Sequence, residues 1–245
     1  MFIPNNFNST NIIKQTANAS LIVQIITAII DLFVLKYDLK EEDQILKELL
    51  IAELVVQIIE GGFYVWLVNS FDKVKNVTLY RYYDWAFTTP TMLLTLILYL
   101  IYLRYTEELD KNNNINKKNI ILNYFTLIKE NWKNIVQVIL LNELMLLFGY
   151  LNEIGKINKH QSVIFGFIPF IMMFKIIYDK YAKYTKDGLF MFKYFVIVWG
   201  FYGFAALMSY TNKNISYNIL DLFSKNFFGL YLSYVIYKRR INHQK

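Results

Sequence analysis

An all-α bundle of seven membrane-crossing helices is the fold class that the sequence predicts, and three features predict it. Hydrophobic residues fill 56% of the 245 positions and charged residues only 18%, too apolar and too charge-poor for an ordinary water-soluble domain. Apolar segments of about 20 residues, enough to cross a hydrocarbon core of roughly 30 Å, recur between polar breaks along the whole chain. Lysine and arginine gather in alternate breaks, as they do in the loops of membrane proteins. With 9 Gly and 3 Pro against 20 Tyr, 20 Phe and 4 Trp, the composition fits neither a low-complexity chain nor a turn-rich β-protein.

The first apolar segment runs from Ala19 to Tyr37, the second from Leu46 to Ser70 and the third from Leu79 to Leu103. The fourth covers Ile135 to Leu151, the fifth Ser162 to Tyr178, the sixth Phe190 to Tyr210 and the seventh Ile215 to Tyr237. The first is preceded by an Asn/Thr-rich stretch rather than a basic one and lacks a small-residue cleavage site, so it reads as a retained helix, not a signal peptide. The chain 1–245 is then one seven-helix domain, with 1–17 a segment before the first helix and 238–245 a basic tail.

Basic residues orient it. With the N-terminus outside, about 18 of the 26 Lys and Arg fall on the cytoplasmic side, a positive-inside pattern. They include Lys111, Lys117, Lys118, Lys129 and Lys133 after the third segment, Lys180, Lys183 and Lys186 after the fifth, and Lys238, Arg239 and Arg240 at the end. The C-terminus is expected inside, in a multi-pass protein of the host cell's plasma membrane. Between the third and fourth segments, Thr106 to Asn134 contains the amphipathic run IILNYFTLIKENW. This run is expected to lie flat on the cytoplasmic membrane face or to extend the fourth helix out of the bilayer.

Cysteine is absent and there are 2 His, which excludes a disulfide framework, a cysteine nucleophile and a His/Cys metal centre. The formal charge of +7 is spread through loops and does not form the single basic face that nucleic acid requires.

Ionisable groups inside apolar helices are costly and point to function. In ILDLFSKNFFGLYLSYVIY, Asp221 and Lys225 stand four apart and share a helix face. A lysine buried among apolar groups is a suitable amine for an imine with an aldehyde. In RYYDWAFTTPTMLL and the residue after it, Arg81, Asp84, Thr88 and Thr95 recur at spacings of three, four and seven, near one face. Asp84 and Asp221 are expected to flank the cationic nitrogen on Lys225, with Arg81 balancing the second carboxylate.

These runs resemble the microbial rhodopsins. RYYDWAFTTP resembles the third-helix signature of that family, DLFSKN its seventh-helix retinal-lysine motif, and WGFYG the retinal-packing aromatics of its sixth helix. Order and spacing cover essentially the whole chain. The resemblance implies all-trans retinal as a protonated Schiff base on Lys225, Asp84 and Asp221 as counterions, and Trp85, Thr89, Trp199 and Tyr202 as pocket walls. The sequence departs from the family at Gly203, where many members carry proline.

The family's outward proton pumps commonly place a carboxylate eleven residues after the third-helix counterion, and here that position is Thr95, which cannot supply a proton at neutral pH. The second segment, IAELVVQIIEGGFYVWLV, sets Glu53, Gln57, Glu60 and Tyr64 at i, i+4, i+7 and i+11, one polar stripe on an apolar helix. Acidic rows of this kind build cation pathways. Asn226 after the retinal lysine and glutamates seven apart on the second helix are similar to channelrhodopsins. Glu53 is expected beside Asn226 at a central gate and Glu60 nearer the outer vestibule, with the opposite register as the alternative. Glu143, in LLNELMLL, is expected to couple to Thr89. The Asn/Ile/Lys-rich composition resembles rhodopsins of large algal or protist viruses.

The reading is a light-gated channel passing protons and monovalent cations through a lipid bilayer. A weak outward proton pump and a photosensor signalling through a partner protein are the alternatives. Homo-oligomerisation is left open. A catalytic rhodopsin is not expected, because only the basic tail follows Tyr237.

Overall fold

The computed structural model describes residues 6–111 and 122–241, and among these no strand occurs. α1 spans Asn6–Val34 and α2 Ile45–Ser70; the link between them carries a single 3-10 turn, Glu41–Asp43. α3 (Val77–Lys111), α4 (Tyr124–Glu153), α5 (Lys159–Lys180) and α6 (Lys186–Ala205) follow. The seventh rod is helical throughout but changes pitch, with α7 at Tyr210–Asp221, a π-helical turn at Leu222–Asn226 and α8 at Phe227–Arg239. Each rod packs beside its neighbours in chain order, and the seventh returns to α1 and α2, closing a ring. The end where α1 begins is the amino end of the bundle; the end where α8 finishes is the carboxyl end.

By length and hydropathy α1 to α6 can each cross a membrane. Their outward faces are apolar, with Ile29, Ile58, Phe87, Leu140, Ile164 and Phe204 each more than half exposed, as expected where lipid is the solvent.

Several boundaries differ from those expected. Residues 6–17 are not a segment before the first helix but its first turns. Ile13 and Ala17, one turn apart, are buried, and Asn218 Nδ2 on α7 donates to the Ile13 carbonyl at 3.2 Å and to Thr16 Oγ1 at 2.8 Å. The sixth helix stops at Ala205, because Ser209 Oγ accepts from Asn212 N at 3.5 Å and starts α7. Of the amphipathic run after the third helix, the part from Tyr124 to Trp132 forms the opening turns of α4, the second of the two expected arrangements. Asn123 Oδ1 caps that start by accepting from Thr126 N at 3.0 Å. With 30 residues α4 is about 45 Å long, more than the roughly 30 Å of hydrocarbon. Its beginning therefore extends past the bilayer core. Residues 112–121, with Lys117 and Lys118, lie outside the described residues.

Local sequence explains the other ends. The α4–α5 link turns at Gly155, which adopts φ +74°, a left-handed conformation that glycine takes without a Cβ penalty. α5 then opens on a capping box in which Asn158 and Gln161 satisfy each other's backbone N–H groups. Within α3, Pro90 removes one helical donor. Thr88, Thr89 and Thr91 around it turn their hydroxyls back onto the carbonyls of Asp84, Trp85 and Phe87 at 2.7 to 3.0 Å.

Candidate functional site: a buried amine in a polar column

The π turn carries Lys225, which is 1% exposed. A wider turn leaves a carbonyl out of the regular ladder, and here the Tyr194 hydroxyl of α6 donates to the Phe223 carbonyl at 2.6 Å while its ring stacks on Phe227 at 4.2 Å. Lys225 Nζ donates to Asp84 Oδ2 on α3 at 2.7 Å and has Glu60 Oε1 on α2 at 3.2 Å. A buried ammonium needs partners of this kind, since an unpaired charge pays its full desolvation cost.

Asp221 stands outside ion-pair distance of the amine and acts on it through space. Among the described residues the ion pairs of Lys225 are with Asp84 and Glu60, and Asp221 is turned toward the amino end. Three donors hold the carboxylate there. The Tyr64 and Tyr202 hydroxyls each donate to Asp221 at 2.6 Å, and Arg81 Nη1 donates at 3.2 Å. Arg81 is itself fully buried. It also donates to Asn218 Oδ1 and to Asn214 Oδ1, and lies 5.6 to 5.8 Å from the ring centroids of Phe63, Tyr64 and Tyr217.

The expected order of the α2 glutamates is reversed. Tyr64 meets Asp221, Glu60 meets Lys225, and Gln57 abuts Gly229. Numbers fall on α2 as they rise on the seventh rod, so the two run antiparallel and Glu60, not Glu53, lies level with the amine. Glu53 sits closer to the carboxyl end, buried beside Thr95 with Asp31 nearby. The stripe itself forms as expected, with Glu53, Gln57, Glu60 and Tyr64 all buried. Axial register between two helices depends on their packing, which the spacing within one of them does not encode.

The coupling expected at Glu143 is made by its neighbour. Asn142 Nδ2 donates to Thr89 Oγ1 at 2.8 Å and to Glu143 Oε1 at 3.0 Å. Successive residues on a helix point about 100° apart, so only one of the two faces α3. Asn142 is fully buried and Glu143 is half-buried. Thr88, Thr95 and Asn226 are buried where expected, the threonines bonded to their own helix and Asn226 beside the amine in sequence.

Further polar contacts, unmarked by any motif, extend the column to both ends. On α1, Asp31 Oδ2 accepts from Gln57 Nε2 at 2.7 Å and Oδ1 accepts from Ser233 Oγ at 2.5 Å. Toward the carboxyl end the Tyr99 and Tyr231 hydroxyls meet at 3.2 Å, and Asp43 accepts from the Tyr102 hydroxyl at 2.5 Å with Arg239 Nη1 3.8 Å away. At the amino end Lys213 Nζ donates to Glu153 Oε1 at 2.5 Å, and Asn76 Nδ2 donates to Oε2 at 3.0 Å. Asp31 carries the same sequence signal as Glu53, an acid in an apolar span, but stands alone on its helix.

An apolar cavity opens from Lys225 between α3, α4, α5 and α6. Trp85, Trp199 and Tyr202 line it, as expected, together with Thr89, Met92 and Phe170. Trp85 is fixed edge-on against Tyr202 at 5.5 Å and Tyr217 at 5.0 Å, and Trp199 against Phe174 at 5.9 Å. Near Gly203 the Phe167 ring of α5 occupies the place a Cβ would take, 2.7 Å from it. A buried amine at the end of an aromatic-walled cavity fits a long apolar aldehyde held through an imine.

Residues 15–239 match the family model described as bacteriorhodopsin-like protein. No curated protein matches in sequence. Among solved structures, the viral rhodopsin OLPVRII superposes with a TM-score of 0.75 at 24% identity, over 92% of this chain and 98% of that one. Blue light-absorbing proteorhodopsin from Med12 gives 0.68 at 15% identity over 92% and 97%. Bromide-bound halorhodopsin from Halobacterium salinarum gives 0.70 at 12% identity over 96% and 97%.

Proposed function

The chain belongs to the bacteriorhodopsin-like family of retinal-binding membrane proteins, and from that premise we propose that it is a light-gated cation channel with retinal carried on Lys225. Members of this family are generally light-driven transporters or sensors, so the choice within the family rests on this chain's own residues.

One observation carries the channel reading. From Lys225 to the carboxyl end, buried acids on two helices, Glu60 and Glu53 on α2 and Asp31 on α1, follow one another against the seventh rod. Buried carboxylates facing lipid would be prohibitively costly; in a row inside the bundle they favour cations over anions. A pump needs one alternating path for protons and has little use for so many acids on one side. The amino end is assigned to the outside by the placement of Lys and Arg.

Bound retinal supplies a light-driven isomerisation that displaces the charged nitrogen of Lys225. Asp84 Oδ2, hydrogen-bonded to that nitrogen at 2.7 Å, is the atom placed to take its proton. Once it does, the ion pair holding α3 to the seventh rod is lost, while Arg81, Tyr64 and Tyr202 keep Asp221 in place. Glu60 is then released from the nitrogen at the middle of the column, and α2 can separate from the seventh rod there. Cations would pass along Glu60, Asn226, Gln57 and Glu53. They meet constrictions at Tyr99–Tyr231 and Tyr102–Asp43–Arg239 on one side and at Lys213–Glu153 on the other.

Whole-cell voltage clamp under illumination, with retinal supplied, tests this. A photocurrent that reverses with the cation gradient, and shrinks in Glu60→Gln, is the expected result. A current that stays outward at all voltages makes the protein a pump, with Glu53 beside Thr95 supplying the proton. A pigment that bleaches and recovers without current makes it a sensor.

A further inference from the structure

We infer that Asp31, Glu53, Gln57, Asn226 and Ser233 form a binding site for one dehydrated monovalent metal cation of the sodium class, occupied in the dark. The inference deepens the channel reading by naming the cation and where it rests.

Compensation of charge is the first argument. Asp31 and Glu53 are both fully buried, and among the described residues neither is ion-paired with a Lys or Arg. Asp31 is held only by neutral donors, the Gln57 amide and the Ser233 hydroxyl. Every other buried acid of the column has a cation within 4 Å: Asp84 and Glu60 have Lys225, Asp221 has Arg81, Glu153 has Lys213 and Asp43 has Arg239.

The second argument is an excess of oxygen. Both carboxylate oxygens of Glu53, Gln57 Oε1 and the Asn226 amide are buried without a hydrogen-bond partner. Gln57 Nε2 and Ser233 Oγ are spent on Asp31 and Thr95 Oγ1 on the Thr91 carbonyl, which leaves Asn226 Nδ2 against the four free oxygens of Glu53, Gln57 and Asn226. Gln57 Oε1 belongs to the same amide that touches Asp31, and Asn226 is three residues before Gly229 on the seventh rod, hence on the same face. A single proton can satisfy one or two of these oxygens. A hard cation, which takes oxygen ligands from carboxylates, amide carbonyls and hydroxyls together, satisfies all of them.

The site is also built for close approach. A Cβ on Gly229 would stand 2.5 Å from Asp31 Oδ2 and 2.6 Å from Gln57 Nε2. Only glycine lets the seventh rod press its backbone against the acid–amide pair. Valence follows from the acid count. Among the described residues no three Asp, Glu, His or Cys side chains converge, whereas calcium takes six to eight oxygens, several from carboxylates. A single positive charge balances one carboxylate, the other acid keeps its proton, and the neutral oxygens complete the coordination.

Infrared difference spectra of the purified full-length protein in lipid nanodiscs, in the dark at fixed pH, compare sodium chloride with choline chloride. The expected result is a saturable, sodium-dependent change in the carboxylate stretching bands with a parallel rise in Tm. Asp31→Asn and Glu53→Gln abolish both, Ser233→Ala weakens apparent sodium affinity several-fold, and Glu108→Gln, an exposed acid on α3 outside the column, leaves the bands intact. Should the acid variants fail to fold, Ser233→Ala alone decides, since an unchanged affinity there overturns the site. Wild-type spectra identical in sodium and choline, with bands that follow pH alone, overturn it too and make this a proton-only pair. Because light is not used, the two readings fail separately. Sodium binding without a photocurrent removes the channel and keeps the site; a photocurrent without sodium-dependent bands does the reverse.

Discussion

Glu60 Oε1 comes within 3.2 Å of Lys225 Nζ yet makes no hydrogen bond to it, while Asp84 Oδ2 takes the hydrogen bond at 2.7 Å. The two carboxyl groups on either side of the amine are therefore not equivalent. One is a directed partner and the other a close neighbour.

That inequality sets an expected order of colour shifts. An anion beside the nitrogen favours the ground state, whose positive charge sits there, over the excited state, whose charge spreads along the polyene. Asp84→Asn is expected to move the visible band to longer wavelength, and Glu60→Gln to move it less in the same direction. Absorption spectra of the two purified pigments check this. A larger shift in Glu60→Gln would make Glu60 the paired anion.

Lys213 and Glu153, 10% and 6% exposed, close the amino end of the column across α4 and α7. Removing one member leaves the other buried and uncompensated, which costs about 3–5 kcal/mol. Lys213→Met should thus lower the unfolding temperature sharply. The double variant with Glu153→Gln should recover much of the loss, because no charge is stranded. A thermal double-mutant cycle on the dark pigment reads the coupling; additive losses would mean that the pair does not close the mouth.

Asn142, rather than Glu143, ties α4 to α3 next to the cavity. Asn142→Ala is expected to cost about 1 kcal/mol and to alter the recovery time of the pigment after a flash, with Thr89→Ala doing the same and the pair together doing no more. Glu143→Gln should leave recovery near the wild-type value. Flash absorption kinetics of the four variants make the comparison, and a dominant effect of Glu143→Gln would reverse the assignment.

Seven crossings, the buried lysine and its Asp84 partner were all legible in the sequence, because each is written in one local pattern: a run of apolar residues, or charges spaced along one helix. What could not be read depends on relations between helices. Glu53 and Glu60 form one stripe, but which of them meets Lys225 depends on the axial register of α2 against an antiparallel rod. Asn142 and Glu143 are adjacent, and a rotation of α4 by one residue would exchange them. Asp31 and Ser233 are single polar residues in apolar surroundings; only their convergence with Gln57 gives them meaning. The π turn leaves no signature in LFSKN.

The same turn bears on how this chain can vary. Five residues complete a loop of backbone there in place of the usual four, so deleting one residue between Leu222 and Asn226 would restore an ordinary helix at no cost in hydrogen bonds. Because the wide turn and an ordinary turn each carry the chain through about one revolution, α8 would keep its face, with Gly229 and Ser233 still against Asp31. The residues re-aimed would be those of the turn, Lys225 and Asn226 among them, so the loss would fall on the amine and its pairing with Asp84. A change of length, tolerated in the loops of most proteins, is here confined to one turn of helix, and that turn is the one that holds the amine.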